Sequence, residues 1–195
     1  FSFDIRYSLF DILRFKNNPM KRRFLIIICF ILILFPAAAL PKQLTLLVID
    51  ADSYLLNKSI DGLTLPKNID VKSFTFSELA EDSSASDFTN ASEVIVLDVM
   101  ASELTDYVLE NVNISGKKIH GLRRSRDDEG LKRKGFIFDS EIQEYFKNPS
   151  VTNIQNMIYR LAHHNFDTGI PYKTVEKMLQ TGIYHTDATV LFTDN

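Results

Sequence analysis

The sequence predicts an α/β fold, a flavodoxin-like doubly wound parallel sheet followed by a helical segment, and three observations carry that prediction. Two uninterrupted apolar runs, Leu44-Thr45-Leu46-Leu47-Val48-Ile49 and Val94-Ile95-Val96-Leu97, each end on an aspartate, Asp50 and Asp98. Runs of this kind suit strands buried on both faces of a parallel sheet. The segments between them carry helical spacing, so strand and helix alternate along the chain.

Taken in order, the first strand begins at Leu44 and is followed by a helix over residues 52–60, in which Tyr54, Leu55 and Leu56 precede a turn at Asp61-Gly62. Residues 71–76 alternate Val71, Ser73 and Thr75 against Lys72, Phe74 and Phe76, the pattern of a strand nearer an edge. Val94 opens the next buried strand. Ser102 then caps a helix carrying Leu104, Tyr107, Val108 and Val112, which Gly116 closes. Residues 117–122 make a fourth strand that delivers a charged run at its carboxyl end, where open parallel sheets place ligands. Beyond it, Asp139 or Ser140 caps a helix over residues 141–146, and Asn148-Pro149 breaks the chain. Ser150 caps a second helix in which Val151, Ile154, Met157, Ile158 and Leu161 recur at three and four residues, so one stripe must bury. Gly169 and Pro171 end that helix.

The 195 residues suffice for one ordinary domain with appendages, and 45% hydrophobic with 24% charged residues is a globular composition. The amino-terminal end has the layout of an export signal. Met20 is followed by Lys21-Arg22-Arg23, an uncharged apolar stretch over residues 24–35, and Pro36-Ala37-Ala38-Ala39. Twelve apolar residues fall short of the roughly 20 that span a bilayer, and Ala37 and Ala39 fit a signal-peptidase site, so cleavage is expected after Ala39. The alternative is an uncleaved anchor over residues 24–40. Both versions put the following domain outside the cytoplasm, periplasmic or membrane-anchored on the extracytoplasmic side, with no other membrane contact. Residues 1–19 precede Met20 and are set aside as an upstream extension. The expected organisation is therefore an extension (1–19), a signal or anchor (20–39), an α/β domain (40–122), and a charged and helical segment (123–195) that continues into a carboxyl-terminal region beyond this chain. The only cysteine, Cys29, lies inside the apolar stretch, which leaves the exported part with neither a disulfide nor a thiolate nucleophile.

Residues 123–134 pack six basic and three acidic side chains into twelve positions. On a helix, Arg124 would stand four residues before Asp128, Asp128 four before Lys132, and Glu129 four before Arg133, each pair worth about 0.2–0.5 kcal/mol. Read by spacing alone, this is a salt-bridged surface turn and helix.

The residue order says more. GLRRSRDDEGLKRKGFIFDSEIQEYFKNPSVTNIQNMIYRLAHHNFD, residues 121–167, resembles the N-terminal region of the CobN-type cobaltochelatase and magnesium chelatase large-subunit (H subunit) family, and the likeness continues through Gly182-Ile183-Tyr184-His185. The resemblance implies a tetrapyrrole-handling protein, with a corrinoid or porphyrin as ligand, cobalt or magnesium as the metal inserted or removed by the parent protein, and ATP used only by partner subunits. Those large subunits are far longer, so the chain is expected to be a front fragment, contributing tetrapyrrole binding and subunit contacts and lacking the catalytic region. Related sequences commonly read Gly-Leu-Arg-Gly-Ser-Arg, where this one has Arg124 in place of the glycine. The alternative is a protein-interaction or tetrapyrrole-carrier module without catalysis.

Arg123, Arg124 and Arg126 are the candidate ligand contacts, because guanidinium groups grip carboxylates in bidentate fashion and tetrapyrroles carry carboxylates on their rim. Nucleic acid is not an expected partner, since the basic run lacks interleaved aromatics for stacking. Asp50, Asp52 and Asp98 at strand ends invite comparison with phosphoacceptor receiver domains, where carboxylates hold magnesium. The first acids are not adjacent here, and the proline and glycine expected after the acceptor are missing, which favours acids that end strands and cap helices. His120, His163, His164 and His185 are the only histidines. Neighbours His163 and His164 leave a helix on different sides and cannot share one metal as an i, i+4 pair does. No Walker loop, G-x-S-x-G or zinc-spaced cysteine set is present, so neither a resident metal nor catalytic residues are assigned.

Overall fold

A computed structural model describes residues 41–177 and the strands at 182–184 and 190–192. The expected export segment, Cys29 and His185 lie outside the described residues. Five strands form one all-parallel sheet in the order β2-β1-β3-β4-β5: β1 Lys42–Leu47, β2 Ile69–Phe74, β3 Val94–Leu97, β4 Lys118–Gly121 and β5 Phe136–Ile137. In the register, Leu44 lies between Val71 and Val94, and Leu97 lies beside Gly121. The expected doubly wound α/β fold is what the chain adopts, with the apolar runs as central β1 and β3 and the alternating segment as edge strand β2.

Among the described residues five helices connect these strands and two follow them: α1 Asp50–Asp61, α2 Phe76–Glu81, α3 Ser83–Ala91, α4 Ser102–Asn111 and α5 Asp128–Arg133, then α6 Ser140–Lys147 and α7 Val151–Phe166. Alternation along each strand divides the core into two layers. Leu44, Leu46, Val48, Val94, Val96 and Leu122 face α1, α6 and α7 through Leu56, Ile142, Tyr145, Ile154, Met157, Ile158 and Leu161. Leu47, Ile95, Leu97 and Ile119 face the other way, onto Leu79, Ala85, Leu104, Val108 and Leu131 of α2 to α5. Thr45 on that second face meets Ser92 in a buried hydroxyl pair at 2.7 Å. A short antiparallel pair, β6 Gly182–Tyr184 and β7 Val190–Phe192, follows.

Several boundaries differ from the sequence expectation for local reasons. Strand β2 stops at Phe74 because Thr75 and Glu78 form a reciprocal capping box, so Phe76 opens α2 instead of ending a strand. Ala101, not Ser102, is the N-cap of α4, and that helix ends at Asn111 with Val112 as its C-cap, so Gly116 belongs to the turn before β4. α7 ends at Phe166, where Asp167 takes a left-handed conformation, ahead of Gly169. The two caps after the charged run follow the expectation: Asp139 accepts from the Glu141 and Ile142 backbones, and Ser150 accepts from Asn153.

The charged run itself departs most. Its helix, α5, begins only at Asp128, because Asp127 caps it through the Gly130 N–H at 2.9 Å. The Asp128 carboxylate instead accepts from the Ser125 backbone at 2.6 Å, and Glu129 pairs with Lys132 three residues on. The ladder of i, i+4 pairs starting at Arg124 therefore gives way to a capped loop. Short β5 then closes the edge of the sheet beside β4.

Candidate functional site

In a sheet of this strand order the connections diverge between β1 and β3, and the crevice outside their carboxyl ends is where ligands usually bind. Here that crevice is filled from within the chain. Arg123, two residues past β4, reaches Asp52 in the first turn of α1 at 2.8 Å and also pairs with Asp98 at the end of β3. Its guanidinium lies over the Phe146 ring at 4.9 Å, and Gln143 donates to the carbonyls of Gly121 and Arg123. Gly121 at the end of β4 lets the Phe138 ring lie close: a Cβ there would come within 2.6 Å of it.

Asp98 is fully buried. Burial holds its carboxyl above the ordinary value, opposed by the Arg123 guanidinium and by the Met100 N–H, which donates to it at 3.1 Å. A cation between two strand-end carboxylates is the receiver-like arrangement, but the cation is the guanidinium of Arg123. Among the described residues no group of three or more His, Cys, Asp or Glu side chains is placed to hold a metal ion.

With that crevice closed, the open space lies one loop further along. A cleft of about 710 Å³ runs between the loop after β3 and the loop after β4, and Arg124, Arg126 and Lys134 supply its positive charge beside Asp106 and Asp127. Val99, Met100, Leu109 and Leu131 supply its apolar wall. Both arginines are exposed, and neither forms an ion pair among the described residues. α4 meets the cleft at Ser102 with no side-chain cap, so its first-turn N–H groups add a positive pole. Arg124 also lines a second cleft of about 550 Å³ on the other side of the loop, with Arg123, Gln143 and Phe146.

The loop bearing the two arginines is held by its own acids. Ser125 donates to Asp128, Asp127 donates to Ser125, and Gly130 donates to Asp127. Gly130 leaves room for that cap, because a Cβ would meet the Asp127 carboxylate at 1.8 Å and push it off the Gly130 N–H. Asp127 and Asp128 are thus spent on the loop's own backbone and Glu129 on Lys132, which leaves Arg124 and Arg126 without an acidic partner.

The structure separates the three candidate arginines into one that is engaged within the fold and two that are open. The described histidines fall elsewhere: His120 is buried on β4, His163 bonds the Ile170 carbonyl at 3.0 Å, and His164 bonds the Tyr172 hydroxyl at 2.9 Å. Sequence reasoning did not find the cleft residues Thr105, Leu109 and Lys134, whose spacing carries no motif. No family model, curated protein or solved structure matches the chain.

Proposed function

We propose that the cleft beside Arg124 and Arg126 receives the peripheral carboxylates of a tetrapyrrole, corrinoid or porphyrin, and that the chain is the front part of an exported chelatase-type large subunit. The observation that carries this reading is the meeting, in one cleft, of two unpaired arginines, an uncapped helix N-terminus and an apolar wall. A molecule with an apolar body and anionic rim is the complement of such a lining. Arg123 positions the loop, and Arg124 and Arg126 make the contacts. Cobalt or magnesium is cargo of the macrocycle in this reading, and ATP enters through partner subunits.

The test is an absorbance titration of the protein with haem and with a carboxylated corrinoid. A saturable spectral change that is weakened at least tenfold by Arg124→Glu with Arg126→Glu is expected. Absence of any change with both pigments would overturn the proposal.

A second reading is a protein-interaction surface on the same rim. Ile49, Phe76 and Met100, which follow β1, β2 and β3, are all exposed at the carboxyl end of the sheet, Met100 by 66%. Loss of partner capture in the double charge reversal, with no pigment binding in either protein, would favour it.

A further inference from the structure

Strand β2 is the outermost strand on its side of the sheet, so one row of its backbone groups has no neighbouring strand. The parallel pairing with β1 fixes which groups these are. The carbonyls of Asn68 and Phe74 accept from the Lys42 and Val48 N–H groups, so the even-numbered residues of β2 turn their backbone toward β1. Val71 and Ser73 turn theirs outward, together with the Ile69 carbonyl, while the Ile69 N–H is already bonded to the Pro66 carbonyl at 2.9 Å.

The side chains alternate as well. Ile69 and Val71 are buried in the layer that holds α1 and α7. Asp70 and Lys72 stand on the opposite face, with the Lys72 ammonium 4.6 Å from the centre of the Phe88 ring. Lys72 is exposed and Asp70 half-buried, and neither forms an ion pair among the described residues. Asp82 feels the Lys72 charge without pairing with it. No residue of β2 lines either cleft beside the arginine loop.

We propose that β2 pairs antiparallel with β2 of a second copy of this chain, about a two-fold axis between the two Val71 residues. An exposed lysine ordinarily blunts a sheet edge. Here an acid two residues earlier on the same face reverses that effect. Only outward-turned residues can exchange bonds across the new ladder, so Val71 must face an odd-numbered residue of the second copy. With Val71 opposite Ile69, Asp70 meets Asp70; with Val71 opposite Ser73, Lys72 meets Lys72. Both registers set like charges directly against each other, which is destabilising.

With Val71 opposite Val71, each Asp70 meets Lys72 of the other copy. These are the positions without mutual hydrogen bonds, where facing side chains come closest. The two Val71 residues then exchange N–H···O bonds, and each Ser73 N–H donates to the Ile69 carbonyl across from it. The charges that oppose two registers thus select the third. A contact in which each copy offers the other the same acid and the same base is self-complementary, as a two-fold interface has to be.

Sedimentation equilibrium of the full chain tests the proposal. A reversible dimer is expected, and Asp70→Lys and Lys72→Asp should each weaken it at least tenfold, because either substitution sets like charges opposite one another. Two further arms separate the pairing from damage to the fold. Both substitutions in one chain should restore the dimer to within about threefold, and mixing the two single variants should yield a heterodimer whose facing charges are again opposite. In the unsubstituted chain, hydrogen exchange at the Val71 and Ser73 amides should slow as concentration rises, with no change at Ile69. A monomer at every concentration overturns the proposal. So does a dimer indifferent to the single substitutions, or one that neither combination restores.

Discussion

Arg123 and Asp98 form an ion pair at the carboxyl ends of β4 and β3, with the carboxylate fully buried and the guanidinium one-third exposed. The pair fastens the ends of β3 and β4 to the first turn of α1, because the same guanidinium also holds Asp52. Removing one partner of a buried pair leaves an uncompensated charge, at a cost of about 3–5 kcal/mol where both groups are deeply buried. Arg123→Ala is expected to cost about 2–4 kcal/mol in urea unfolding, less than the full range because solvent reaches Arg123.

That loss should depend on pH, with a definite sign. Burial already raises the Asp98 pKa, and the variant lacks the guanidinium that opposes it. In acid, where Asp98 is protonated with or without its partner, the two proteins should approach each other in stability. As pH rises above the ordinary carboxylate value, the variant must bury a bare charge, so the gap should widen. Unfolding curves at pH 4 and pH 7 check this, and a gap that narrows toward pH 7 would refute it.

His120 gives a separate pH dependence. Its folded pKa of about 4 lies below the unfolded value of 6.5, so the unfolded chain binds the proton more readily. The stability it contributes is complete above pH 6.5 and is lost as pH falls toward 4. The shift corresponds to at most about 3 kcal/mol, at 1.36 kcal/mol per pKa unit. His120→Phe should flatten the stability profile between pH 6.5 and 4, measured by thermal unfolding across that range.

Gly130→Ala would act on the arginine loop. The new Cβ collides with the Asp127 carboxylate and removes a cap worth about 0.5–2 kcal/mol, while alanine returns up to about 1 kcal/mol in helix propensity. Net destabilisation of about 1 kcal/mol is expected. The sharper readout is local, since faster hydrogen exchange at the Ser125 and Gly130 amides should accompany weaker binding of carboxylated pigments.

Asn153 ties down the chain after α7. Its fully buried side chain donates to the Asn148 and Glu176 carbonyls and accepts from the Glu176 N–H, at the partly buried edge of the fold. Tyr145 donates to the Lys173 carbonyl alongside. Asn153→Ala leaves those backbone groups to be met by water at the edge of the fold and is expected to cost about 1–2 kcal/mol, near the low end of one to three per unsatisfied buried group. Hydrogen exchange at Lys173 to Glu176 should rise by more than exchange in β1.

The alternation of strands with helices, the central positions of β1 and β3 and the edge position of β2 follow from patterns a few residues long, because burial on one or both faces writes itself into neighbouring positions. The caps at Asp139 and Ser150 are equally local. Tertiary structure alone decided which arginine stays free. Arg123, Arg124 and Arg126 are alike in sequence, but the partners of Arg123 stand 25 and 71 residues away and meet it only where strands converge. The same convergence fills the crevice between β1 and β3, moves the open cleft to the neighbouring loop, and leaves His120 buried without a partner. Such outcomes depend on which distant groups the fold brings within hydrogen-bonding reach, and no local spacing encodes that.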